Sequence, residues 1–159
     1  LYCVKNKYPM LIQYLNFPKV PTNIIDKLNR DHDKFVPTEQ SKIFPVYIRS
    51  MTKSELYASW CNENICQARW STQLIKDSLV IHKDKNGVRF RLTYLIEPGG
   101  DNVLTKFYND DKEEIESIRI EPFRWHLFDA TVFHNVVNVE PGKLRFAITA
   151  SILHMPSSV

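Results

Sequence analysis

From Ala68 onward the chain alternates apolar and polar residues with a period of two, and ahead of that point apolar residues recur at helical spacing. The alternation predicts strands over Ala68–Leu74, Leu79–His82, Val88–Glu97, Val103–Tyr108, Ile115–Ile120, Arg124–Phe128, Val132–Val139 and Leu144–Leu153. Turn-forming groups separate them: Lys85-Asn86-Gly87, Pro98-Gly99-Gly100, Asn109-Asp110-Asp111 and Glu140-Pro141-Gly142. In the N-terminal third, Met10–Phe17 predicts a first strand, stopped by Pro18 and Pro21. Thr22 or Asn23 can cap a helix through Asp31 that sets Ile24, Ile25 and Leu28 on one face. Phe44–Ile48 predicts a short strand. Thr52 and Glu55 have capping-box spacing and open a second helix through Trp60 to Glu63.

Two helices ahead of these short strands predict a mainly β fold: a double-stranded β-helix (jelly-roll, cupin-like) with both helices packed on one sheet. An immunoglobulin-like sandwich also uses many short strands but explains the leading helices poorly. The run Val88–Glu97 divides into an odd set, Arg89, Arg91, Thr93 and Leu95, and an even set, Phe90, Leu92, Tyr94 and Ile96, on opposite faces. In a jelly-roll with a polar interior, the Arg91/Thr93 face points into the cavity and the apolar face packs under the helices. The reverse assignment makes Tyr94 a cavity residue and Arg91 a surface charge; the first is preferred.

The 159 residues suit one domain, with 1–67 as helical and mixed support and 68–154 as the jelly-roll core. A 43% hydrophobic and 25% charged composition is that of a globular rather than a disordered chain. The net charge of +3, from 21 basic and 18 acidic side chains, is too small to argue for a nucleic-acid face. It is compatible with an anionic small ligand or an acidic peptide. No apolar run reaches the ~18 residues of a membrane span. No charged start before an apolar core marks a signal peptide, and Leu1 in place of Met leaves room for an upstream segment. Cys3, Cys61 and Cys66 are an odd set with neither zinc-knuckle nor CxxC spacing, so free thiols in a reducing, cytoplasmic compartment are expected.

His82 and Asp84 stand two apart, so both side chains leave one face of a strand end. His134 lies 50 residues after Asp84 on another predicted strand. Two imidazoles and one carboxylate on one face of a metal leave open positions opposite, the pattern of non-haem Fe(II) in oxygen-using enzymes. Arg145, eleven residues after His134, can hold a carboxylate through its planar fork. Each piece alone is common by chance; a lone histidine on a strand is more often a surface or hydrogen-bonded residue than a ligand. Order and spacing together make the metal site the preferred reading over a jelly-roll with incidental histidines.

Across roughly Ala68 to His154 the chain resembles the 2-oxoglutarate/Fe(II) oxygenase superfamily, and within it most of all the aspartyl/asparaginyl β-hydroxylase branch. The resemblance is carried by His82 through Leu95, by Arg124-Trp125-His126-Leu127-Phe128-Asp129-Ala130 running on to His134-Asn135-Val136, and by Arg145. It implies that His82, Asp84 and His134 ligate Fe(II) and that Arg145 binds the distal carboxylate of 2-oxoglutarate. It also implies that Arg91, Thr93 and Ser71 lie near that cosubstrate, although Thr93 departs from the branch's histidine. Some branch members lack the metal carboxylate; this chain has Asp84, which argues against halogenation. Prolyl-hydroxylase-like enzymes are close competitors, and for them Tyr94 is the expected cosubstrate contact. The implied reaction uses O2, converts 2-oxoglutarate to succinate and CO2, and hydroxylates an aliphatic C–H bond. The expected substrate is an amino-acid side chain, in a peptide or protein or free. The alternative is a non-catalytic cupin-like module binding a metal or small ligand.

Other candidates carry less. Asp129, in the turn before His134, can orient a ligand imidazole or simply cap the turn. His126 is the competing choice of ligand, eight residues before His134, but lacks the downstream arginine spacing. His32 and His154 read as surface residues, Trp60, Trp70 and Trp125 as core or pocket wall, and Lys83 and Lys85 as a solvated loop.

Overall fold

The computed structural model describes residues 11–31, 36–37, 46–50, 56–84 and 88–154. Its elements run β1 (Ile12–Tyr14), α1 (Thr22–Arg30), β2 (Val36–Pro37), β3 (Val46–Ser50), α2 (Leu56–Asn64), β4 (Trp70–Ile75), β5 (Phe90–Pro98), β6 (Leu104–Tyr108), β7 (Glu114–Ile118), β8 (Trp125–Asp129), β9 (Phe133–Val137) and β10 (Arg145–Ile152). They form two sheets, a seven-stranded one in the order β1-β8-β5-β10-β4-β3-β2 and a three-stranded one in the order β7-β6-β9. The pairings are antiparallel. This is the mainly β jelly-roll architecture with two helices that the alternation predicts.

Period-two alternation divides β5 as the sequence suggests. Leu92, Tyr94 and Ile96 enter a core with Ile24 and Leu28 of α1, Tyr57 and Cys61 of α2, and Trp70 and Trp125. Trp125 packs edge-on against Trp70 at 5.6 Å and lies 5.0 Å from the Tyr94 ring. Arg91, Thr93 and Leu95 point instead between the sheets. There Leu95, Ile12 and Ala147 meet Phe107 of the small sheet in a second core. Tyr94 is therefore a core residue between sheet and helices, not a cavity residue.

Three local expectations change. α1 begins one residue early: Thr22 is already helical and Pro21 is its N-cap, with no side-chain cap. Proline's fixed φ suits that position, and its carbonyl accepts from the Ile24 and Ile25 amides. Leu79–His82 is not a strand. His82 forms an isolated bridge to His134 of β9, and Leu79 rather than Val80 donates to the Val136 carbonyl, at 2.8 Å, so the register slips and no ladder forms. β2, two residues long, carries no alternation from which it could be predicted. The Thr52–Glu55 capping box, Lys85-Asn86-Gly87 and His32 lie outside the described residues.

The remaining turns follow their chemistry. Gly99 and Gly100 take positive φ of 85° and 139°. A Cβ on Gly99 would stand 3.0–3.2 Å from Arg145 Cβ, N and Cα, so this turn lies directly against the base of Arg145. Asn109 Oδ1 accepts from the Asp111 and Glu113 amides, an Asx-type turn.

Candidate metal centre

His82 and His134 face each other across an isolated antiparallel bridge. The His82 amide donates to the His134 carbonyl at 3.0 Å and the His134 amide returns the bond at 2.9 Å. The backbone thus fixes the pair, with ring centroids 4.5 Å apart. Each ring also places Nδ1 2.8 Å from a carbonyl two residues back, Val80 for His82 and Val132 for His134. A backbone carbonyl takes a proton only from Nδ1–H, so the tautomer is set and Nε2 is left with its lone pair.

Asp84 completes the cluster. Its amide donates to the Ala130 carbonyl at 3.0 Å, which ties the loop to the end of the sheet. Its Oδ1 lies 3.7 Å from His82 Nε2 and 3.5 Å from His134 Nε2. One ligand atom from each of the three residues falls within 4.8 Å of the others. Two imidazole nitrogens and one carboxylate oxygen in this arrangement are the donor set that suits divalent iron or manganese with open positions.

Arg91 holds the other carboxylate oxygen. Its Nε donates to Asp84 Oδ2 at 3.0 Å, and its Nη2 pairs with the same oxygen. Burial pushes the Asp84 carboxyl up, but the neighbouring His134 and Arg91 more than reverse that and bring it down to about 2. Burial, then the neighbouring His134, hold the His82 imidazole below its usual range, which keeps it neutral and available to a metal.

The triad opens onto a cavity of about 80 Å3 between the sheets. Beyond the metal cluster and Arg91, its polar lining is Gln73, Thr93, Thr105, His126 and Arg145. Arg145 is buried, donating from Nη1 to the Pro98 carbonyl at 3.2 Å and from Nη2 to Thr105 Oγ1 at 3.4 Å. Both acceptors are neutral, and among the described residues no carboxylate forms an ion pair with it. Burial lowers its pKa to about 10, so it is a cation at neutral pH with no ion-pair partner among the described residues.

The structure thus brings His82, Asp84, His134, Arg145, Arg91 and Thr93 to one cavity, with two corrections. Arg91 is engaged with Asp84 rather than free for a cosubstrate. Ser71 shares the inward face of β4 with Gln73 and Ile75 but lies outside the cavity lining, opposite Thr149. Thr93 gives its hydroxyl to a 3.2 Å contact with Thr149 Oγ1. Asp129 is a turn cap, accepting from the Thr131 amide and hydroxyl, and His154 is exposed. Gln73 and Thr105 are lining residues that sequence reasoning missed. Thr105 comes from the opposite sheet, and only the folded topology brings it to Arg145.

No family model and no curated protein sequence matches the chain. Solved structures do. A Pseudomonas putida prolyl-4-hydroxylase is similar at TM-score 0.63 and 12% identity, over 91% of this chain and 93% of its own. A Trichoplax adhaerens prolyl hydroxylase, in complex with a hypoxia-inducible factor peptide fragment, is similar at TM-score 0.62 and 13% identity, over 87% and 81%. A 2OG-Fe(II) oxygenase family oxidoreductase from Burkholderia pseudomallei is similar at TM-score 0.56 and 9% identity, over 89% and 84%. The first two are prolyl hydroxylases, the competitor reading, and neither supports the aspartyl/asparaginyl branch expected from the sequence. Among the described residues, no helix is long and apolar enough to cross a membrane. In fold, the chain is similar to the 2-oxoglutarate/Fe(II) oxygenases.

Proposed function

We propose that the protein is an Fe(II)- and 2-oxoglutarate-dependent dioxygenase that hydroxylates an aliphatic C–H bond. The observation that carries this reading is the meeting, in one cavity, of a His82–Asp84–His134 donor set and a buried Arg145 that pairs with no described carboxylate. Fe(II) would be held by Nε2 of His82 and His134 and by Asp84 Oδ1. Arg145 would bind the distal carboxylate of 2-oxoglutarate, with Thr105 beside it. When bound, the metal and cosubstrate supply the oxygen chemistry; the protein's own part is ligation, orientation and exclusion of water. Arg91 keeps the Asp84 carboxylate ionised and fixes which oxygen faces the ligands. The apolar walls, Ile12, Leu79, Leu95 and Val136, keep bulk water from the reacting atoms.

The substrate on this reading is an amino-acid side chain, in a peptide or free; the peptide held by the Trichoplax relative supports the first form. Free Cys61 and Cys66 support a reducing, cytoplasmic setting. The test is Mn(II) binding followed by electron paramagnetic resonance, 2-oxoglutarate binding by calorimetry, and Fe(II)-dependent succinate release. His134→Ala is expected to lose metal and turnover together. Wild-type protein that binds neither Mn(II) nor 2-oxoglutarate overturns the proposal. Binding of both with no succinate from any peptide or amino acid would leave a non-catalytic binding module.

A further inference from the structure

Arg91 treats the two oxygens of Asp84 differently. Its Nε donates to Oδ2 at 3.0 Å and its Nη2 pairs with that same atom, so both donors fall on one oxygen rather than one on each. Oδ1 faces the other way, 3.7 Å from His82 Nε2 and 3.5 Å from His134 Nε2. A carboxylate oxygen offers about two lone-pair directions. At Oδ2 both are occupied by N–H groups, and an ion needs a lone pair to bond. Oδ1 keeps its lone pairs for the space between the histidine nitrogens.

The backbone fixes both partners. The Asp84 amide donates to the Ala130 carbonyl at 3.0 Å, and the Ala130 amide donates to the Arg89 carbonyl at 2.8 Å. Ala130 therefore ties the Asp84 loop to the chain two residues before Arg91. Arg91 itself sits inside the large sheet, opposite Phe128 of β8 and Ser151 of β10. The carboxylate is largely withdrawn from solvent, so water competes poorly for its two bonds.

A carboxylate can bind a cation through one oxygen or chelate it through both. Chelation takes up a second position on the ion, and a triad of this kind works by leaving positions open. At Asp84, chelation would have to break both Arg91 bonds.

We propose that Arg91 is a positioning residue that confines Asp84 to one metal bond, through Oδ1, and so keeps free the position on the ion that a chelating carboxylate would occupy. This rests on the reading of His82, Asp84 and His134 as a metal centre. It goes beyond keeping the carboxylate ionised: the guanidinium sets how many positions the ion offers to small molecules.

The test counts bound water on the Mn(II)-loaded full chain, by electron paramagnetic resonance line broadening in 17O-enriched water, and measures Mn(II) affinity alongside. In Arg91→Met the second carboxylate oxygen is expected to displace a water. That variant should carry one bound water fewer than wild type while holding Mn(II) within about threefold of the wild-type affinity. Arg91→Lys restores the charge but supplies a point donor in place of a planar fork, and should lose the same water. A lysine variant with the wild-type water count means that charge alone matters and overturns the proposal. So does a methionine variant whose Mn(II) binding weakens with its water count unchanged, the behaviour of a merely structural ion pair. If neither variant folds, the crystal structure of Mn(II)-loaded wild type decides: Oδ1 alone bonded to the ion supports the proposal, and Oδ2 bonded as well overturns it. Each of these failures leaves the dioxygenase reading standing, whereas wild type that takes up no Mn(II) overturns both.

Discussion

Replacing Arg91 by methionine keeps most of its aliphatic length but removes both donors from Asp84 Oδ2. The Asp84 side chain is 9% exposed and that of Arg91 27%, so solvent replaces the lost bonds poorly. Asp84 falls from its ordinary 3.8 to about 2 in the folded protein although burial acts in the opposite direction. At about 1.4 kcal/mol per pH unit, the depression corresponds to about 2.5 kcal/mol of stability, shared between His134 and Arg91. Loss of Arg91 also leaves the burial penalty less opposed, so a cost on the order of 2 kcal/mol is expected. For a chain of this length that lowers Tm by about 4–8 °C in metal-free protein at neutral pH. A carboxyl with a depressed folded pKa stabilises fully above its unfolded value and loses that contribution as pH falls through the folded value. The Tm gap between wild type and Arg91→Met should therefore be full above pH 4 and close toward pH 2. Calorimetric melts in chelator across that range measure it, with Asp84→Asn and the double variant completing a cycle. A gap below about 1 °C at pH 7, or one that persists unchanged at the acid end, refutes the reasoning.

Gly99→Ala places a Cβ at positive φ and within 3.0–3.2 Å of Arg145 backbone and Cβ, so a loss of about 1–3 kcal/mol in urea unfolding is expected; an unchanged midpoint would contradict the close packing. Tyr57→Phe removes a 2.6 Å bond to the Ser71 carbonyl and should cost about 1–2 kcal/mol by the same measurement, with a neutral result showing that water replaces it. Cys61 is fully buried, and burial, then Cys66, push its thiol up to about 12. Mass spectrometry after thiol alkylation at pH 8 should find Cys66 modified well before Cys61, which reacts only on unfolding. Equal rates would mean the helix-side core opens readily.

The β half of the fold is legible because β5 alternates from Phe90 to Tyr94 and glycine turns bound its neighbours. Where the register slips, the pattern misleads: Leu79–His82 is a short apolar run like a buried strand, yet Leu79 rather than Val80 takes the Val136 carbonyl and only an isolated bridge forms at His82. The start of α1 is obscured because a proline does the work expected of a threonine. At the site, the two-residue spacing of His82 and Asp84 makes the candidate ligands readable, and alternation shows which way Arg91 faces. The partner Arg91 takes is another matter, since it depends on where the Asp84 carboxylate arrives after the His82 bridge and the bond to Ala130.

The reciprocal bridge between His82 and His134 has a consequence for how an ion would meet this protein. In a small zinc-dependent domain the metal itself closes the loop between ligands, so affinity is reduced by the entropy of that closure and removal of the ion unravels the chain. Here the amide and carbonyl of each histidine already close the intervening segment. On the proposed reading the three donors would act as a preassembled chelator. Metal loading should be fast, nearly silent in far-ultraviolet circular dichroism, and reversible by a competing chelator without unfolding, so the ion would report on the site rather than on the fold.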